Sequence, residues 1–154
     1  MHRLLPLMLV LVLGCGPSAP PEFDKPLSEW LDDPGDFGEA TEGATRGKIK
    51  RKLIPVDLTR KRIDADVYHA LPEELRAATP EEVGTVVKIR WNEVPVTQGR
   101  TFFKVDAFFV DRETGKVISA FQVQGGASKF QNRSGTRPVD LVVNTIKQQV
   151  EARD

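Results

Sequence analysis

The chain has 154 residues, a formal net charge of zero and a hydrophobic fraction of 40%. Its length allows one ordinary domain once a leader is removed. It contains a single cysteine, so an intramolecular disulfide is excluded. We expect neither a disulfide partner nor a nucleic-acid partner.

The first 14 residues have the parts of a secretory signal. Arg3 supplies a positive charge, an apolar run occupies residues 4–13, and the small Gly14 follows. The run is about half of the ~20 residues that a helix needs to cross a bilayer. Pro6 further disfavours a stable helical span. Residues 1–14 are therefore predicted to be a cleaved leader.

The residues Val12-Leu13-Gly14-Cys15 resemble the lipobox of bacterial lipoproteins. The resemblance implies cleavage between Gly14 and Cys15, with lipid attached to the Cys15 thiol and to its new amino group. Several acyl chains anchor a protein stably, whereas one chain is marginal. We expect a lipid-anchored protein on the extracytoplasmic side of the cell membrane, and Gly16 is compatible with the outer membrane. The alternatives are a cleaved signal with a chance cysteine and a short uncleaved anchor.

Residues 15–46 are predicted to be the lipidated cysteine followed by a disordered acidic tether. Residues 16–47 hold eight acidic and two basic residues, and they are rich in Gly and Pro. A segment with so few apolar residues does not offset its ordering entropy by burial. Leu27, Trp30 and Leu31 share helical spacing. Either Trp30 docks on the domain or a partner, or this stretch is a transient turn.

Residues 47–154 are predicted to form the folded domain, which begins with a basic run and a strand. Ile54, Val56 and Leu58 alternate in phase, and Pro55 places this strand at a sheet edge. With the basic residues 60–62, this region offers a patch for anionic lipid headgroups, a polyanion or the acidic tether. The alternative is a solvated strand edge.

The next stretch, residues 64–83, contains acidic residues and a histidine, the residue types that a metal site or a hydrolase would use. Asp64 and Asp66 lack the remaining ligands of a calcium loop. His69 has no recognisable nucleophile attached to it, and it is the only histidine left after processing. We expect no catalytic residue, no metal and no cofactor, with a hydrolase kept as a minor alternative. Pro72 has the placement of a helix start.

Residues 83–124 are predicted to form a three-stranded antiparallel meander. Val83 to Trp91 alternate with period two, and residues 101–110 are β-branched and aromatic. Gly115, in the turn 111–116, closes a hairpin onto a return strand that runs to Val123.

The last two segments are a glycine-rich basic loop and a helix. The loop, residues 125–136, contains Lys129 and Arg133, which are candidates for anion binding. The alternative is a connector, because the loop matches no phosphate-binding fingerprint. Residues 138–152 carry an apolar helical stripe behind Pro138. We expect this helix to pack on the sheet.

Within the domain, residues 71–77, residues 80–87 and Trp91 resemble a small uncharacterised domain of bacterial exported and membrane proteins. The resemblance implies no enzymatic role. The predicted fold is α+β, an antiparallel sheet of three or four strands packed by the C-terminal helix. The predicted function is a non-catalytic binding or accessory role towards an envelope protein or polymer. The alternative is a binder of an anionic small molecule or lipid headgroup through Lys129 and Arg133.

Overall fold

The computed structural model describes residues 18–96, 100–126 and 137–153. In these ranges five strands form one sheet with the order β2-β1-β3-β4-β5. The strands are β1 (Leu53–Asp57), β2 (Arg62–Ile63), β3 (Thr85–Val96), β4 (Arg100–Asp111) and β5 (Val117–Gly126). The helices are α1 (Leu27–Trp30), α2 (Phe37–Glu42), α3 (Ala65–Ala70) and α4 (Pro138–Glu151), with 3-10 turns at Pro21–Asp24 and Pro80–Glu82.

The prediction of a mixed helix and sheet fold with a C-terminal helix is confirmed, but the strand count and direction were wrong. The sheet has five strands, and β1 runs parallel to β3 while all other neighbours are antiparallel. A parallel pair needs a crossover connection. Here β2 and α3 provide it. The sheet is therefore mixed.

Strand β1 lies inside the sheet, so its placement at an edge was wrong. On one side it pairs with β3 along its whole length. On the other side only Val56 and Asp57 pair with β2, and Pro55 accepts a bond from Asp64 N–H at 3.0 Å through its carbonyl. The proline is tolerated because its missing N–H is not needed on that short side. Pro72 opens a turn, not the predicted helix.

The predicted meander is confirmed, with β3, β4 and β5 paired in sequence order. Gly115 has φ +67, a left-handed conformation that favours glycine. Asp111 Oδ1 accepts hydrogen bonds from the N–H groups of Glu113 and Thr114 at 2.8 and 3.1 Å. Burial alone would raise the pKa of Asp111, but bonds from Lys50 and these N–H groups hold it below its usual value.

One face of the sheet is covered by α4, as predicted. The helix begins at Pro138 and buries its apolar stripe against alternate residues of the strands. The strand residues on this face include Val87, Ile89, Val105, Ala107 and Phe109.

The other face is covered by residues 18–47, which we call the N-terminal segment. Its side chains form a second core cluster with Ile54, Val86, Phe108 and Val110. Phe23 is fully buried and Trp30 is 4% exposed. The structure therefore differs from the predicted disordered tether over these residues. Few apolar side chains suffice here, because the sheet supplies the other half of the core.

Gly84 lies where the segment before β1 approaches the start of β3. A Cβ atom at this position would stand 2.8 Å from Lys50 Cβ and 2.9 Å from the Arg51 carbonyl oxygen. The absence of a side chain allows Gly84 N–H to donate to the Lys52 carbonyl at 2.9 Å. This glycine is required by close approach of two backbones.

No helix in the described ranges combines the length and the apolar character that a membrane span requires.

Candidate functional site

The sequence-predicted site residues lie outside the described residues. This applies to Gly14 and Cys15 at the predicted cleavage point, and to Lys129 and Arg133 in the glycine-rich loop. The lipidation site and the anion-binding loop therefore remain predictions. Two clefts among the described residues are lined in part by the N-terminal segment, one by its first residues and one by residues 29–34.

The first cleft lies at the edge of the sheet, between β2, α3 and the start of the N-terminal segment. Its volume is about 760 Å³. Ser18 and Ala19 line it on one side, and Arg60 and Arg62 line it on the other. His69, at the end of α3, is exposed and lies close by, with Nε2 2.9 Å from the Ser18 carbonyl oxygen. The first described residue, three positions after Cys15 in the sequence, therefore lies at this edge.

Two carboxylates at this cleft are buried and have structural roles. Asp57 is 1% exposed, and its Oδ1 accepts bonds from the N–H groups of Thr59 and Arg60, both at 2.9 Å. Asp64 is 4% exposed, and its Oδ1 caps α3 by accepting Val67 N–H at 3.1 Å. These bonds shape the turn and the helix start, so neither acid is presented as a general acid or base.

Asp64 also links the cleft to the core on the face of the sheet that α4 covers. Its Oδ2 accepts a hydrogen bond from Trp91 Nε1 at 2.7 Å. Trp91 packs against the core cluster beneath α4. The described residues hold no cluster of three or more His, Cys, Asp or Glu side chains placed to bind a metal ion.

The second cleft lies between the N-terminal segment and strands β3, β4 and β5, and it contains a buried lysine. Its volume is about 240 Å³, with Trp30, Asp33, Lys88 and Arg112 among its lining residues. Lys88 is 6% exposed and donates from Nζ to the Asp32 carbonyl oxygen at 2.7 Å. Burial lowers the pKa of Lys88, and the charges of Asp32 and Asp33 oppose that shift.

Arg90, two residues along β3, holds the same part of the N-terminal segment. Its Nη2 atom lies 2.6 Å from Asp33 Oδ1 and 3.2 Å from the Gly35 carbonyl oxygen. Its guanidinium lies 5.5 Å from the Phe108 ring centroid, and Phe37 packs on the same ring at 6.0 Å. The acidic segment is thus bound to the basic residues of β3 through both charge and aromatic contacts.

Replacing Lys88 with methionine tests whether the buried ammonium carries a net cost. We expect the variant to be as stable as the wild type, or more stable, at pH 7, because an apolar side chain of similar length removes the desolvation of a charge. A lysine whose folded pKa is lowered binds fewer protons when folded. Wild-type stability should therefore rise as pH increases towards 10.5, and the variant should lack this contribution. Urea denaturation from pH 7 to 10 measures both.

Lys104→Met is the matched control, because Lys104 is half-buried on β4 and points to the same face of the sheet. It should change the free energy of unfolding at pH 7 by no more than about 0.5 kcal/mol, as substitutions outside the core usually do. A loss of more than about 3 kcal/mol in Lys88→Met at pH 7 would contradict the prediction and make the Lys88–Asp32 bond a stabilising contact.

Sequence reasoning did not identify Lys88 or its partners. Period two placed Lys88 and Arg90 on the face opposite Val87 and Ile89, where solvent was expected. The available signal was the mixed face of β4, since a strand with Phe108 and Val110 beside polar residues needs a cover. The acidic composition of the N-terminal segment complements that face.

Comparisons with protein families, curated proteins and solved structures found no match to this chain.

Proposed function

We propose that this protein is a lipid-anchored accessory module of the bacterial cell envelope that binds a partner there without catalysing a reaction. The observation that carries this proposal is the run of residues 4–13 followed by Gly14-Cys15. A positive start, a short apolar core and a small residue are the parts of a secretory signal, and the cysteine after them resembles the lipidated residue of a lipobox. The partner is an envelope protein or polymer.

The non-catalytic part of the proposal is supported by the roles of the titratable groups at the two clefts. Asp57 and Asp64 each accept backbone or indole N–H groups. Lys88 donates to a backbone carbonyl. These hydrogen bonds stabilise the fold, and a binding role does not require the same groups to take part in a reaction.

Replacing Cys15 with alanine tests the anchor. We expect the variant to lose incorporation of a fatty-acid probe and to appear in the soluble fraction or as an unprocessed form, because alanine offers no thiol for lipid transfer. Fractionation and probe labelling in a bacterial host measure both effects.

Pro17→Ala is the control, since it lies just beyond the lipobox and should keep full labelling. Continued labelling of Cys15→Ala would remove the anchor from the proposal. Crosslinking of the anchored wild type, compared with Cys15→Ala, would then identify partners that depend on membrane attachment.

A further inference from the structure

We propose that the N-terminal segment fixes the domain on the membrane surface, with the edge formed by β2 and α3 against anionic lipid headgroups. This inference rests on the proposed function, because it requires lipid on Cys15. The sequence predicted a domain on a flexible spacer. The inference is instead that the domain has a defined orientation relative to the membrane. The partner surface is the bilayer itself.

The first observation is the short reach between the anchor and the docked chain. Three Cα–Cα steps join Cys15 to Ser18, which is a span of at most about 11 Å. A free flexible tether over residues 16–47 would have a root-mean-square length of about 30 Å. Ser18 is the first described residue, and its carbonyl oxygen already lies 2.9 Å from His69 Nε2.

The second observation is that the residues directly after Ser18 are packed against the domain. Ala19 packs against the second core cluster, and Phe23 is fully buried in it. The Phe23 ring lies 6.2 Å from that of Trp30 and 6.1 Å from that of Tyr68 on α3. Lipid on Cys15 would therefore hold α3 and β2 near the headgroups.

The third observation is the charge of the turn at this edge. Arg60, Lys61 and Arg62 are exposed, and no described residue forms an ion pair with Lys61 or Arg62. Lys61 has φ +53, and the Asp57 carboxylate accepts two N–H groups of the same turn. The turn is thus held in shape with the side chains of Lys61 and Arg62 exposed, while Arg60 Nε lies 3.9 Å from Asp57 Oδ2. Each such charge near an anionic membrane adds to the attraction between the turn and the headgroups.

Carboxylates at the same edge limit the attraction. Asp24 and Asp66 are exposed and line the cleft beside Arg60 and Arg62. The cleft therefore does not bind a headgroup as a pocket. The projecting turn makes the contact, and the lipid on Cys15 supplies most of the affinity.

The sheet order predicts which surface faces away from the bilayer. Four strand spacings separate β2 from β5, which is about 19 Å at ~4.8 Å each. Gln124 on β5 is exposed, and Ala70 at the end of α3 is exposed on the opposite edge. A probe on Gln124 should therefore lie further from the headgroups than a probe on Ala70.

The experiment uses the full lipidated chain in vesicles of phosphatidylcholine and phosphatidylglycerol. The Cys15 thiol is blocked by lipid, so Ala70→Cys and Gln124→Cys each offer one site for a donor fluorophore. Energy transfer to acceptor-labelled headgroups reports the distance of each site. We expect strong transfer from position 70 and transfer several-fold weaker from position 124.

A second arm tests the headgroup contact. Lys61→Glu/Arg62→Glu should reduce the difference in transfer between the two positions, and high salt should do the same in the wild type. Lys116→Glu, on an exposed turn next to β5, is the matched control and should leave the difference unchanged.

The outcomes separate the orientation from the anchor. Equal transfer from positions 70 and 124 in vesicle-bound protein would overturn the orientation and leave the anchor intact. A double variant that keeps the full difference would overturn the headgroup contact. Failure of the lipidated wild type to float with vesicles, as Cys15→Ala should fail, would overturn the proposed function itself.

Discussion

Replacing Phe23 with alanine is expected to lower the free energy of unfolding by about 3–5 kcal/mol, the usual cost of removing a buried phenylalanine. Phe23 is fully buried between Trp30 and Tyr68, so its removal leaves a cavity between the N-terminal segment and the sheet. Urea denaturation measures the loss. Trp30 fluorescence should shift to the red in the native variant if the segment loosens.

The control for this variant is Glu22→Ala, because Glu22 is exposed beside Phe23. It should leave the free energy of unfolding within about 0.5 kcal/mol of the wild type, as surface substitutions do. An unchanged urea midpoint in Phe23→Ala, together with protease release of residues 18–47, would show that the segment is not part of the cooperative core. That result would also remove the basis of the membrane orientation.

Replacing Asp64 with alanine is expected to lower the free energy of unfolding by about 2–4 kcal/mol. The loss of an N-cap costs about 1 kcal/mol, and a hydrogen bond to a charged group contributes about 1.5–3 kcal/mol. Both apply here, because Asp64 accepts Val67 N–H and Trp91 Nε1–H from a buried position. Thermal and urea denaturation measure the loss, and Trp91 fluorescence reports the local change.

Asp66→Ala is the matched control for Asp64, since Asp66 is exposed in the first turn of the same helix. Asp64→Asn should fall between alanine and the wild type, because one amide oxygen cannot replace both carboxylate oxygens. If Asp64→Ala and Asp66→Ala were equally mild, the bond between α3 and Trp91 would contribute little to stability.

Local patterns predicted the part of the fold that is built from neighbours in sequence. The alternation of Val83 to Trp91 and the turn at Gly115 determine the meander. The stripe behind Pro138 determines α4, whose buried residues are those that the pattern placed on one face. These elements are long and strongly periodic, so sequence and structure agree.

The parallel pairing of β1 with β3 was missed because it is not local. It joins Leu53 to Thr85 across a crossover whose helix, Ala65–Ala70, is too short to show a clear period. Pro55 predicted an edge strand, but β1 has a neighbour on each side. This is possible because β2 pairs only with the end of β1, after the proline. A proline constrains one N–H group, and the rest of the strand is free to pair.

The N-terminal segment was predicted to be disordered because its composition was considered without the sheet that it covers. Phe23, Trp30 and Phe37 are too few to build a core alone, but each meets aromatic or aliphatic side chains already on the sheet or α3. The helical spacing of Leu27, Trp30 and Leu31 was the correct signal, although α1 ends at Trp30.

The covering of the second face also makes the packing of the N-terminal segment depend on residues far away in the chain. Phe37 contacts Phe108, and Thr45 N–H donates to the Val117 carbonyl at 2.9 Å. The surface that receives the later part of the N-terminal segment is thus complete only when β4 and β5 have formed. Contacts so distant in sequence make folding slow. Until those strands have formed, the apolar side chains of the N-terminal segment lack Phe108 and Val110, against which they pack in the folded protein.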